Sequence, residues 1–248
     1  MHRPGLAAIL LVLQLTVAAP ARATECRAIA GGSPELAAID AETRLAWLDR
    51  RFTVDAARAR IWATSFGVLY GALTVGQFAL LPTVHTTGEQ AEKIVGGTLS
   101  FIGVAAIAVL PLKIMGDERW WRKHRARVAA TETPCALLNT AELLFIRDAE
   151  SEAFGVGPLV HAGNFLINIA GGLVLGLGYG RWSAFAYQSL VGIAVGEVMA
   201  ATQPTDVIED LRLYRAGQLL PPAKPRLGLA FAPVVGRDQF GAAFALRW

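Results

Sequence analysis

Four apolar stretches constrain this chain more than any other feature of it. They run from about Ile61 to Leu81, Val95 to Met115, Leu159 to Tyr179 and Ala184 to Ala201. Each is about 18–21 residues long, enough for a helix to cross about 30 Å of hydrocarbon. Charge enters them only at Lys113 and Glu197. A water-soluble fold holding all four would have too few polar faces left to show to solvent. The composition agrees: 17% of the 248 residues are charged, against about 25% in soluble domains. The chain therefore reads as an all-α membrane protein, a four-helix transmembrane bundle, with the lipid bilayer as its first partner.

The segments around the spans give the rest of the organisation. Residues 1–23 have the three regions of a signal peptide in order: basic Met1-His2-Arg3, an apolar run from Leu6 to Ala19, and Ala21-Arg22-Ala23 as a small-x-small cleavage site. An uncleaved anchor helix is the alternative. Residues 24–60 read as an amphipathic helix that starts at Ser33-Pro34-Glu35 and runs unbroken into the first span. Leu45, Leu48 and Phe52 share one face, and Arg44, Asp49, Arg50, Asp55 and Arg58 lie mostly elsewhere. Residues 61–115 and 159–203 form two transmembrane hairpins.

The 116–158 loop opens on a basic-aromatic band, Arg119-Trp120-Trp121-Arg122-Lys123, of the kind found at membrane interfaces. A second amphipathic helix follows from Thr133-Pro134. Residues 204–217 give a short helix stopped by Gly217. Residues 218–248 are a Pro-rich linker and a tail alternating large and small residues, from Leu227, Leu229 and Phe231 to Phe244, Leu246 and Trp248. That period of two predicts a small C-terminal β-hairpin.

Chemistry is scarce. The only cysteines, Cys26 and Cys135, form an even pair that reads as a disulfide in an exported protein, or else as two separate thiols. Nucleotide-loop, nucleophile-elbow and zinc-protease motifs are missing, so no catalytic residue, cofactor or metal site is expected. The net charge of +3 lacks a concentrated basic face, which argues against nucleic acid. Small residues recur every fourth position, notably Gly172, Gly176 and Gly180 in the third span and Gly192 and Gly196 in the fourth. Such spacing lets helices in lipid approach closely.

One polar group sits among them. His161, Asn164 and Asn168 share a stripe of the third span. The short link at Arg181-Trp182-Ser183 makes the fourth span antiparallel to the third. Glu197 then falls at the depth of Asn164. This group is either hydrogen-bonding glue between helices or a proton or ligand site.

Val160-His161-Ala162-Gly163-Asn164, the glycine run to Arg181, Val195-Gly196-Glu197-Val198 and Thr202-Gln203-Pro204 together resemble an uncharacterised family of Gram-negative envelope multi-pass membrane proteins. The likeness covers roughly residues 45–217 and implies membrane architecture without any known activity. The aromatic-ended tail also resembles the last strand of outer-membrane barrels, but two strands fall far short of a barrel.

The expected function is non-enzymatic. The chain would be a structural, assembly or scaffolding partner of an envelope protein, or a homo-oligomer. The alternative is a small transporter or proton-coupled component using the Glu/His/Asn cluster. Signal cleavage predicts an inner-membrane protein with both termini in the periplasm. The basic residues flanking the spans favour the opposite orientation, which keeps the outer membrane open as an alternative location.

Overall fold

A computed structural model of the chain describes residues 25–221 in full, and residues 228–235 and 240–247 by their backbone. The signal segment expected at 1–23 lies outside the described residues. Among them, eight α-helices account for the architecture, and four segments are long and apolar enough to cross a membrane.

The first helix, α1 (Pro34–Ala37), starts where Ser33 accepts from the Leu36 amide. It does not continue into the span. Asp40 caps a fresh start by accepting from the Thr43 amide at 2.9 Å, and α2 (Ala41–Ala79) begins there. The helix α2 then runs for 39 residues without a break, about 58 Å at 1.5 Å per residue. That is nearly twice the hydrocarbon thickness. Its second half is the first of the segments long and apolar enough to cross, while its first half is too charged to do so.

The second span is α3 (Thr87–Val109), opened by a capping box between Thr86 and Glu89. It ends six residues before the expected Met115. Pro111 has no N–H to continue the ladder. The residue before it, Leu110, leaves the helical region at φ −115°, ψ 53°. Lys113 is thus outside the span, at the N-terminus of α4 (Ile114–Thr131).

From α4 the chain turns into α5 (Pro134–Gly155), capped by Thr133. The third span is α6 (Pro158–Tyr179) and the fourth is α7 (Trp182–Ala201). Last comes α8 (Asp206–Arg215), with Gly217 at φ 73° just beyond it.

The spans pair as α2 with α3 and α6 with α7, and the two pairs meet along α3 and α6. Above them α1, the first half of α2, α4, α5 and α8 form a helical head with its own core. Trp47 stacks on Tyr214 with centroids 5.2 Å apart, and Phe145 meets both Trp47 and Phe52 edge-on. Nearly every buried large apolar residue belongs to this head. The Cys26–Cys135 disulfide, with Cα atoms 5.4 Å apart, ties the N-terminal segment to the start of α5.

The head also corrects the reading of its charged residues. Arg44, Arg51 and Asp55 are buried, not solvent-facing. They lie on the same stripe as Leu48 and Phe52, because 44, 48, 51 and 55 follow the helical repeat. The aromatic band splits likewise. Trp120 is exposed, but Trp121 is buried against Phe52 and donates to Asp49 Oδ1 at 2.6 Å.

Candidate functional site

Two polar assemblies stand out, one between spans and one inside the head. The first depends on the turn joining α6 to α7. Gly180 adopts the left-handed conformation at φ 67°, and the Arg181 amide donates back to the Leu175 carbonyl at 3.0 Å. This closes α6 tightly and sends α7 back along it. Gly180 is therefore a helix terminator with open space around it, not a packing residue.

The other four glycines are contact points. A Cβ on Gly172 would overlap Ser189 and Phe185, and one on Gly176 would press on Trp182. Those on Gly192 and Gly196 would overlap the amides of Asn168 and Asn164. The glycines of α7 thus make room for the asparagines of α6. Asn164 Nδ2 donates to Glu197 Oε1 at 2.9 Å and to the Ile193 carbonyl at 3.0 Å. Its Oδ1 accepts from Asn168 Nδ2 at 2.9 Å, and Ser189 Oγ donates to the Asn168 carbonyl at 3.2 Å. His161 Nδ1 lies 2.6 Å from Glu197 Oε2.

All four residues expected to cluster are therefore connected, and each Glu197 oxygen has a partner. The depth of the cluster limits its chemistry. His161 is in the first turn of α6, and Glu197 is in the last turns of α7. Both are about 40% exposed at the side chain. The stripe continues only as far as Asn168 and Ser189. Beyond them the contact is made by Gly172, Gly176, Phe185 and Trp182. A proton could rest between His161 and Glu197, but these residues trace a polar path along only the half of the α6–α7 pair nearest the head.

The second assembly was not anticipated. Arg44 on α2 is buried and pairs with Glu142 on α5, while its Nε donates to the Tyr214 hydroxyl at 3.1 Å. Tyr214 in turn donates to Glu142 Oε1 at 2.5 Å, and Arg44 donates to the Cys26 carbonyl at 3.0 Å. Nearby, Arg51 pairs with Asp210 at 2.8 Å and Arg58 with Asp206 at 2.7 Å. Glu152 accepts from the first amides of α8, Val207 at 2.9 Å and Ile208 at 3.3 Å, and so fixes that helix against α5. Gln203 adds a bond to the Glu152 carbonyl at 2.9 Å.

Asp55 and Glu152 are 1% exposed. Burial, reinforced by Asp210 and Asp206, pushes Asp55 up to about 8. Burial and the Asp55 charge push Glu152 up to about 9. Asp148 is driven up to about 9 by its burial and by Asp117. These are carboxyls that hold protons well above their ordinary range. No group of three or more His, Cys, Asp or Glu among the described residues is arranged to hold a metal ion. The signal in the sequence was the charged stripe 44, 51, 55 on an otherwise apolar face. Compared with known proteins, the chain matches no family model, no curated protein and no solved structure.

Proposed function

We propose that this protein is a non-enzymatic integral membrane protein of the bacterial cell envelope, serving as a structural or assembly partner of another envelope protein or of further copies of itself. The observation that carries this reading is the shape of the polar stripe. It begins beside the head and gives way to glycine and aromatic contacts halfway down, which suits helix adhesion better than conduction. A Cβ added at Gly67 or Gly71 of the first span would meet nothing beyond its own helix within 4 Å, which leaves a small-residue face suited to another membrane helix. The likeness to an uncharacterised envelope family fits this reading and adds no activity to it.

Location follows from the same reading. Cleavage after Ala23 and a disulfide together fit an oxidising compartment, so the head is assigned to the periplasm and the spans to the inner membrane. The outer membrane is the alternative. The alternating tail is read as a hairpin. It would offer a second contact surface.

The second reading, a proton-coupled component, is favoured by the 2.6 Å contact between His161 and Glu197. One pair of experiments separates the two. Pull-down in mild detergent should recover a defined envelope partner or an oligomer, and Glu197→Gln should leave that recovery unchanged. If Glu197→Gln abolishes the cellular phenotype of a deletion rescue while insertion and partner recovery stay normal, the proton-coupled reading replaces the first.

A further inference from the structure

Between the head and the spans lies a cleft of about 530 Å³, within the roughly 300–1,000 Å³ typical of small-molecule sites. It exists because α3 stops early. The break at Pro111 pulls the chain away from the bundle, so the last turn of α3, the end of α5, the middle of α2 and the end of α7 line a gap. Trp62 spans the back of it, donating to the Met199 carbonyl at 3.2 Å. The mouth is formed by Val109, Leu110 and Phe154, which are 75%, 68% and 52% exposed. An apolar mouth of this kind at the end of membrane spans opens sideways into lipid, not into water.

Its polar rim has a definite chemistry. Ser151 is engaged by the Lys113 amide, and Gln203 by the Glu152 carbonyl. Lys113 and Glu150 are exposed on the rim, and neither joins an ion pair among the described residues. Seven other acids of the head do: Asp49, Asp117, Glu118, Glu142, Asp206, Glu209 and Asp210 are all paired. One unpaired cation and one unpaired anion at the mouth of an apolar cleft match a ligand with an alkyl chain, a phosphate and a primary ammonium.

We infer that this cleft is a binding site for an aminophospholipid of the phosphatidylethanolamine type, with one acyl chain in the apolar gap, the phosphate at Lys113 and the ammonium at Glu150. Phosphatidylcholine presents the same charges but has no N–H to donate to Glu150. Phosphatidylglycerol has no cation at all. The site discriminates by headgroup for that reason.

The test is native mass spectrometry of the full chain in mild detergent, titrated with phosphatidylethanolamine, phosphatidylcholine and phosphatidylglycerol of identical chains. Wild type should retain phosphatidylethanolamine about tenfold better than the other two. Glu150→Gln should erase that preference, and Lys113→Gln should weaken retention of all three. Ala106→Phe, which fills the gap, should abolish the adduct. Because Ala106→Phe could also disturb α3, the two rim variants, both at exposed positions, decide the matter independently. Equal retention of the three lipids by wild type, or an unchanged preference in Glu150→Gln, would overturn the assignment.

Discussion

The two halves of α2 are one uninterrupted helix in two different solvents. From Ala41 to Arg60 it buries Trp47, Leu48, Phe52, Ala56 and Ala59, together with Arg44, Arg51 and Asp55. From Ile61 to Ala79 it buries only Phe66. Water drives the first half to hide its apolar face, and whatever charge shares that face must be paired inside, as Arg44 and Arg51 are, or neutralised, as Asp55 is. Lipid exerts no such drive on the second half, so Ile61, Val68 and Val75 stay exposed without penalty. The head is thus held by a core and its ion pairs. The spans are held by close approach at a few glycines and one polar stripe.

If that contrast is right, the largest effect comes from breaking the buried pair in the head. Glu142→Ala strands Arg44 and removes the Tyr214 acceptor, which should cost about 3–5 kcal/mol. Thermal unfolding in detergent should show the head melting early while far-ultraviolet helicity of the spans persists. A single unchanged transition would show that head and spans are not separately stabilised.

Next comes the disulfide. It closes a loop with a sequence separation of 109, and its loss should cost about 2–4 kcal/mol. The double variant Cys26→Ala/Cys135→Ala should make the N-terminal segment sensitive to limited proteolysis yet insert normally. Intact mass under non-reducing conditions checks the bond in the native protein.

The third effect depends on pH. Asp55 and Glu152 titrate near 8 and 9 in the fold but near 4 when unfolded. Between those limits the folded head binds more protons than the unfolded chain, so its stability falls as pH rises from about 4 through 8–9. Asp55→Asn should flatten that fall, leaving the head roughly 1–3 kcal/mol more stable than wild type at pH 9. Chemical denaturation across pH measures it, and a slope of the opposite sign would mean the carboxyls are ionised and paired.

Smaller changes belong to the membrane half. Gly192→Leu should overlap Asn168 and loosen α6 from α7 by about 1–3 kcal/mol. Val75→Ala, on the lipid face, should stay within about 0.5 kcal/mol of wild type. Detergent-dependent thermal shift assays would sharpen the comparison, which fails if Val75→Ala costs as much as a core deletion.

The legible parts of this molecule were those set by local rules. Length and hydropathy find spans because a bilayer imposes both. The short α6–α7 link puts Glu197 beside Asn164 by counting residues. The head resisted because its logic is non-local. Nothing near Arg44 announces Glu142, which is 98 residues away. Trp121 looks like an interface aromatic until Asp49 and Phe52 are seen on either side of it. Lys113 looked intramembrane because hydropathy averages over Pro111, whereas the backbone cannot.

The unbroken length of α2 has a mechanical consequence. A helix of 39 residues is a rod about 58 Å long, anchored at its upper end by Arg44 and Trp47. Pivoted at its membrane end, a tilt of about 10° would sweep its upper end through roughly 10 Å. Thinning of the bilayer, or a neighbour leaning on the first span, would therefore reach the head as a lateral displacement far larger than the disturbance that caused it.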